Sequence, residues 1–275
     1  MTGRDDWQGR VGAEWAARAD AMEGLLGPLG QAGLEALGDV AGERVLDLGC
    51  GAGDTALALA RAGAEVTGID VSPDLIALAR AADARGRVDW VLADAARHGF
   101  AAPFDALHSR CGAMFFDRPE AGWAHLRGQM VPGGRLVVTC WRAAALNGWV
   151  TLPLDAARPV LGASLTAYPD AGGAGPFGWA DPDQVRALLA AAGWREVALT
   201  AVDREAAIGT GDDPDPVERA VLFLMRIGTL ASRLRDVDRP VRAKVRAALA
   251  EACAPLVEGG AVRVPTAGWV VSARA

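Results

Sequence analysis

The chain has 275 residues, a formal net charge of -6, and a composition that is 51% hydrophobic and 23% charged. That balance belongs to a soluble globular protein, and the acidic surplus counts against nucleic acid as a partner, since proteins that bind it carry a basic footprint. No apolar run approaches the roughly 20 residues of a membrane span, and the opening "MTGRDDWQGR" lacks the basic-then-apolar layout of a signal peptide. No membrane partner and a cytoplasmic location are therefore expected.

The elements read as follows in chain order. Trp7, Val11, Trp15, Arg18 and Met22 recur every three or four residues and predict one helix face. Gly24 and the run Leu26 to Gly30 are expected to interrupt it, with a second helix reaching Leu37. Arg44 to Leu48 reads as a short apolar strand, Asp54 to Arg61 as a helix ended by Gly63, and Glu65 to Asp70 as a second strand. Ser72 then caps a helix that Pro73 opens, because proline's missing N–H costs nothing in a first turn; this helix is expected to run to about Ala84. Val88 to Ala93 is the third strand, Phe104 to Ser109 the fourth, Pro119 to Met130 a helix and Arg135 to Trp141 the fifth strand. Strands alternating with helices of this length predict a parallel sheet covered on both faces.

Beyond Trp141 the pattern weakens. Leu146 to Trp179, with its prolines and the "GGAGP" tract, reads as a lid. Asp181-Pro182 restarts a helix that ends at Gly193, and Glu196 to Val202 is a sixth strand. Asp215-Pro216 and Pro240 open two further helices, and Ala267 to Ser272 closes the chain as a strand. The basic run Arg233 to Arg246 reads as a solvated helix face. A single domain is expected: a helical cap over 1–40, a cofactor-binding core over 41–141, a lid insertion over 142–180, and a C-terminal half over 181–275 with a helical insertion at 204–258.

The chemistry concentrates in "VLDLGCGAGD", Val45 to Asp54. An open parallel sheet binds ligands at the carboxyl ends of its strands, and this loop follows the first. The dinucleotide fingerprint Gly-x-Gly-x-x-Gly would place its third glycine at residue 54, which is Asp54; the glycines are Gly49, Gly51 and Gly53. An acid at the helix start repels a pyrophosphate, which seeks the positive end of the helix. Asp47 before the loop suits a cationic ligand. S-adenosylmethionine has that character: a positive ammonium, a positive sulfonium and no phosphate. Glycines let the backbone approach its methionyl part, and an acid near the ammonium makes a charge-assisted hydrogen bond. Asp70, ending the second strand, is placed to accept both ribose hydroxyls, with Val71 packing on adenine. Asp94, after the third strand, is placed to accept from the adenine amino group.

"VLDLGCGAGD", "VTGIDVSP" and "WVLADAA" resemble the first three motifs of the class I S-adenosylmethionine-dependent methyltransferases, over roughly Arg44 to Trp141. The resemblance implies a Rossmann-like, doubly wound α/β fold with a seven-stranded sheet whose last strand is antiparallel, carrying N-terminal helices and helical cap insertions. It implies cofactor roles for Asp47, Gly49, Gly51 and Gly53 (methionyl part), Asp70 (ribose), and Asp94 with Ala95 (adenine). It also places Ser109 and Arg110 where the family contacts the cofactor and opens onto the acceptor. "SRCGAMFFDRPEAGWAHLRGQMVPGGRLVVTCWR" and "GPFGWADPD" are similar to a bacterial subgroup acting on small molecules.

Methyl transfer from a sulfonium is an in-line displacement in which alignment and water exclusion suffice. Acceptor classes fall by absence: there is no Asn-Pro-Pro-Tyr-like run after the fourth strand, no Pro-Cys dipeptide, no flanking pair of acids and no magnesium-type acid cluster. Cys50, Cys111, Cys140 and Cys253 form no CxxC, so no metal site is expected and reduced thiols are. A small-molecule acceptor remains, with S-adenosylhomocysteine as the second product. His108 is a candidate base, since an unperturbed imidazole titrates near neutrality. Arg110 is a candidate partner for an acceptor carboxylate, and Phe115, Phe116, Trp141 and Trp149 are candidate pocket walls. Two alternatives stand beside the enzyme: a non-catalytic S-adenosylmethionine-binding sensor or scaffold, and an NAD-dependent oxidoreductase, which the displaced glycine disfavours. The acceptor, the atom methylated and the oligomeric state stay open, a homodimer included.

Overall fold

A computed structural model of the chain describes residues 4–169, 172–173 and 175–275. Three N-terminal helices, α1 (Arg4–Gln8), α2 (Arg10–Ala16) and α3 (Ala19–Leu37), precede the alternating core. The core runs β1 (Arg44–Leu48), α4 (Asp54–Arg61), β2 (Glu65–Asp70), α5 (Pro73–Ala82), β3 (Val88–Leu92), β4 (Phe104–Arg110), α6 (Pro119–Arg127) and β5 (Met130–Trp141). Then come α7 (Gly148–Leu161), α8 (Pro182–Ala191), β6 (Arg195–Ile208), α9 (Pro216–Leu224), α10 (Thr229–Arg233), α11 (Arg239–Cys253), the two-residue β7 (Val257–Glu258) and β8 (Ala261–Arg274).

The sheet order is β3-β2-β1-β4-β5-β8-β6, with β7 attached to β8. β1 pairs in parallel with both β2 and β4, so the order reverses direction beside β1. β8 runs antiparallel to both β5 and β6. The expected Rossmann-like sheet with an antiparallel last strand is thus the fold, extended by β7. Among the described residues no helix is long and apolar enough to cross a membrane.

Local chemistry sets the helix starts. Ser72 Oγ accepts the Leu75 N–H at 3.3 Å, and Asp181, Asp215 and Asp238 cap α8, α9 and α11 in the same way, each with proline in the first turn. β1, α4 and β2 keep the expected bounds.

Four expectations change. The helix breaks fall at Gly9 and Ala17-Arg18 rather than at Gly24 to Gly30, and α3 continues through Pro28. Its glycines serve close packing instead: a Cβ on Gly24 would stand 2.8 Å from the Ala207 carbonyl oxygen, and one on Gly30 2.6 Å from Arg110 Cδ. α3 lies against β4, β5, β6 and β8, so residues 1–40 cover the sheet as well as the site. β5 starts at Met130 rather than Arg135, with Gly133 at φ +77° and a register shift opposite Phe104/Ala106, a bulge within the strand. The lid segment contains α7, which buries Trp149, Val150, Pro153, Leu154 and Ala157 at helical spacing despite Pro153 and Pro159. β6 and β8 are longer than expected because they pair with each other out to Ile208↔Val262, which confines the helical insertion to Pro216–Cys253.

Candidate functional site

A cavity of about 330 Å³ opens at the carboxyl ends of β1 to β4. Leu48, Gly49 and Gly51 line it from the loop after β1, Asp70 and Val71 from the end of β2, Ala93 to Arg97 after β3, and Arg110 to Gly112 from the end of β4. Trp7 and Trp15 close it from the N-terminal helices, with Phe115 and Phe116 beside them. Trp7 meets Trp15 edge-on at 5.1 Å and Phe115 at 5.2 Å between ring centroids. This roof is held down where Gly12 of α2 meets the start of α5; a Cβ there would stand 2.4 Å from Ser72 Oγ.

The three glycines of the loop are required for different reasons. All have positive φ, +66°, +55° and +96° for Gly49, Gly51 and Gly53, where side chains are strained. A Cβ on Gly49 would stand 3.0 Å from Gly112 Cα, and one on Gly53 2.6 Å from Trp90 Cη2, whereas one on Gly51 would meet nothing. Gly51 therefore faces open space, while Gly53 permits the close seating of α4.

Asp70 anchors the loop. One carboxylate oxygen accepts the Gly51 N–H at 3.0 Å and the other the Ser72 N–H at 2.9 Å. Burial pushes its carboxyl above the ordinary range, against the pull of these hydrogen bonds, and the nearby charge of Asp47 pushes the same way. Asp94 accepts the Ala96 N–H at 3.0 Å and lies 3.9 Å from the Arg97 guanidinium. Arg110 lines the cavity and pairs with Glu23 at 2.6 Å and Asp54 at 3.8 Å. Cys111 follows it at φ +58°, its thiol pushed up to about 12 by burial.

The structure thus brings Gly49, Gly51, Asp70, Val71, Asp94, Ala95 and Arg110 to one wall. Asp47, Gly53, Ser109 and His108 stand behind it. Ser109 is fully buried and donates from Oγ to the Leu48 carbonyl at 2.8 Å, a brace between β1 and β4. His108 is fully buried beside Asp47, on the opposite sheet face from Ser109 by strand alternation. That is no position for a base in contact with a ligand in this cavity. Trp141 and Trp149 pack in the core, where Trp149 stacks on Phe177 at 5.7 Å. The cavity adds Cys111, Gly112 and Arg118, which the sequence reading left without a ligand role. Gly112 carried a legible signal, a glycine two residues past the end of β4; a Cβ there would stand 2.8 Å from the Leu48 carbonyl oxygen.

Asp47 Oδ2 is buried without a partner, and Asp47 and Asp70 together put two carboxylates at the loop. The donor set therefore fits a cation with hydroxyls to donate and does not fit a phosphate. Among the described residues no group of three or more His, Cys, Asp or Glu could hold a metal ion.

Residues 45–134 match the family model described as a methyltransferase domain. An uncharacterized protein of Mycobacterium tuberculosis is 35% identical over 146 residues, 52% of this chain and 53% of its own length. The ubiquinone biosynthesis O-methyltransferase of Xylella fastidiosa is 40% identical over 114 residues, 36% of this chain and 42% of its own. The chain thus spans about half the length, or less, of the curated relatives it matches. Its fold is similar to the crystal structure of a putative methyltransferase from Bacillus halodurans, with a TM-score of 0.54 and 16% identity over 89% of this chain and 97% of that one. Over residues 45–134 the chain thus matches a methyltransferase domain, and its fold is similar to that of a putative methyltransferase of known structure.

Proposed function

We propose that this chain transfers a methyl group from S-adenosylmethionine to a small-molecule acceptor, at oxygen or nitrogen, as one cytoplasmic domain. The observation that carries the reading is the wall itself: a side-chain-free loop at Gly49 and Gly51, with Asp70 and Asp94 at the next two strand ends, all facing one cavity. Asp70 would hold the ribose, Val71 and Ala95 the adenine faces, Asp94 the adenine amino group, and the glycine loop the methionyl part. The bound cofactor supplies a methyl group already activated on a sulfonium. The chain's own residues then have to orient and to exclude water. Trp7, Trp15 and Phe115 form the apolar roof that does the second. Arg110, at the loop end of the cavity, offers a cation for a carboxylate. No general base is assigned, and the place of His108 behind the wall argues against that role.

The small-molecule acceptor is supported by the similarity to the Xylella O-methyltransferase and by the aromatic side chains of Trp7, Trp15, Phe115 and Phe116 that line the cavity. All four cysteines are unpaired and buried, which supports a reducing compartment.

The test has two arms. Titration calorimetry with S-adenosylmethionine and S-adenosylhomocysteine is expected to give saturable binding of both; no binding at millimolar cofactor overturns the assignment. Incubation with methyl-labelled cofactor and fractionated small-molecule extracts is expected to transfer label to a metabolite. Tight cofactor binding with no transfer to any fraction would instead indicate a non-catalytic cofactor-binding protein.

A further inference from the structure

The buried pair Asp47 and His108 takes no part in the wall, yet it is built with care. β1 and β4 run in parallel register with Asp47 opposite His108, so both side chains stand on the same sheet face, beneath α3. His108 Nδ1–H donates to Asp47 Oδ1 at 3.0 Å, the carboxylate being the acceptor, which fixes the tautomer. The two side chains are 0% and 1% exposed. Asp47 Oδ2 and His108 Nε2 have no partner. α3 is cut away over the ring: a Cβ on Gly33 would stand 3.0 Å from His108 Nε2 and 2.7 Å from Thr139 Cγ2. A buried polar pair left half satisfied is weak support for a fold, since apolar side chains of similar volume often do as well. Its presence calls for another role.

We infer that His108 is a positioning residue for the cofactor: by holding Asp47 Oδ1, it turns the carboxylate so that Oδ2 is the acceptor left for the ammonium of the methionyl group. The inference rests on the cofactor reading of the cavity. Asp47 stands two residues before Gly49, whose backbone is part of the wall. Burial raises both the Cys50 thiol and the Asp70 carboxyl, and the charge of Asp47 adds to each. Gly49 and Gly51 place no side chain on the loop in front of it. An unpaired buried carboxylate oxygen behind such a loop is satisfied by a cationic donor through one bridging water. Without the His108 N–H, both Asp47 oxygens compete for that donor and the carboxylate is free to rotate.

The test compares two nucleosides on the whole chain by titration calorimetry. S-adenosylhomocysteine carries the ammonium; 5′-methylthioadenosine shares its adenine, ribose and thioether and lacks the ammonium and carboxylate. His108→Asn keeps an amide donor near the Nδ1 position, whereas His108→Gln and His108→Leu remove it. The Gln and Leu variants are expected to lose about tenfold or more in S-adenosylhomocysteine affinity and less than about threefold for methylthioadenosine, with Asn close to wild type. Equal losses for both nucleosides in the Gln variant mark a packing role and overturn the inference, as does full S-adenosylhomocysteine affinity in that variant. If His108→Leu does not fold, or methylthioadenosine binds too weakly to read, the contrast between Asn and Gln on S-adenosylhomocysteine decides. A wild-type chain that binds neither nucleoside overturns the cofactor reading itself, and the inference falls with it.

Discussion

The Asp70 carboxylate accepts the backbone N–H of Gly51 at 3.0 Å, so the tip of β2 fixes the loop that leaves β1. Its second oxygen is held by the Ser72 N–H. The carboxylate is therefore locked in orientation, with lone pairs left for a ligand in the cavity it lines. Asp70→Ala removes the ribose acceptor and frees the loop together. It is expected to weaken S-adenosylhomocysteine binding by about 1.5–3 kcal/mol, the range for a hydrogen bond to a charged group. Calorimetric titration reads this directly, and an unchanged dissociation constant would move the ribose elsewhere.

The same carboxylate makes a pH prediction. Burial, with the charge of Asp47 adding to it, raises Asp70 from its ordinary value near 3.8. A carboxyl raised in the folded state binds its proton more tightly folded than unfolded. From the ordinary value up to the raised one, the folded chain holds more protons, so this group's contribution to stability falls as pH rises through that window. The unfolding free energy of cofactor-free wild type, taken relative to Asp70→Ala, is expected to decline from below pH 4 toward neutrality. Denaturant melts of both chains across that range check it; a difference that rises with pH would contradict the sign.

How much of this was legible depended on whether the signal was local. β1, α4 and β2 followed from an apolar run, a glycine stop and a second apolar run, and the Ser72-Pro73, Asp181-Pro182 and Asp215-Pro216 caps marked helix starts. The path of α3 through Gly24 and Gly30 was illegible because those glycines answer to Ala207 and Arg110, residues far along the chain. The outer halves of β6 and β8 hide for a related reason. They are held by each other, and exposed Asp203, Arg204 and Glu205 give no apolar alternation to read. Within the site, the strand-end acids Asp70 and Asp94 reached the cavity. Asp47 and His108 did not, because alternation within β1 and β4 turns them to the face that α3 covers. Trp7 and Trp15 have helical spacing that serves a core or a roof equally well, so only the tertiary contact with Phe115 separates the two.

The four thiols are expected to resist reagents in the native state. Cys50, Cys111, Cys140 and Cys253 are all buried, and desolvation raises each of them, Cys111 to about 12 and Cys253 to about 11. Since the thiolate is the nucleophile, little reactive form exists near pH 8, even for Cys111 on the cavity wall. Titration with a chromogenic disulfide should release almost no colour from native protein and four equivalents in denaturant. Rapid reaction of one native thiol, lost on Cys111→Ser, would show that the cavity admits the reagent and ionises that sulfur.

The roof can be separated from the core through Gly12. A Cβ at this position would stand 2.4 Å from Ser72 Oγ and 2.2 Å from the Trp7 carbonyl oxygen, closer than real contacts allow, and one of the two is backbone. Gly12→Ala therefore forces α2 away from the start of α5 and tilts Trp7 and Trp15 off the cavity. The overpacking cost is expected to be about 1–3 kcal/mol. It falls on the N-terminal helices, because the sheet does not depend on this contact. Limited proteolysis should then cut the variant near its N-terminus first, and S-adenosylhomocysteine affinity should drop while the main thermal transition stays within a few degrees of wild type. S-adenosylhomocysteine is chosen because it reports the roof without any need to know the acceptor. Wild-type affinity together with a wild-type cleavage pattern would mean that α1 and α2 are not the cover of this site.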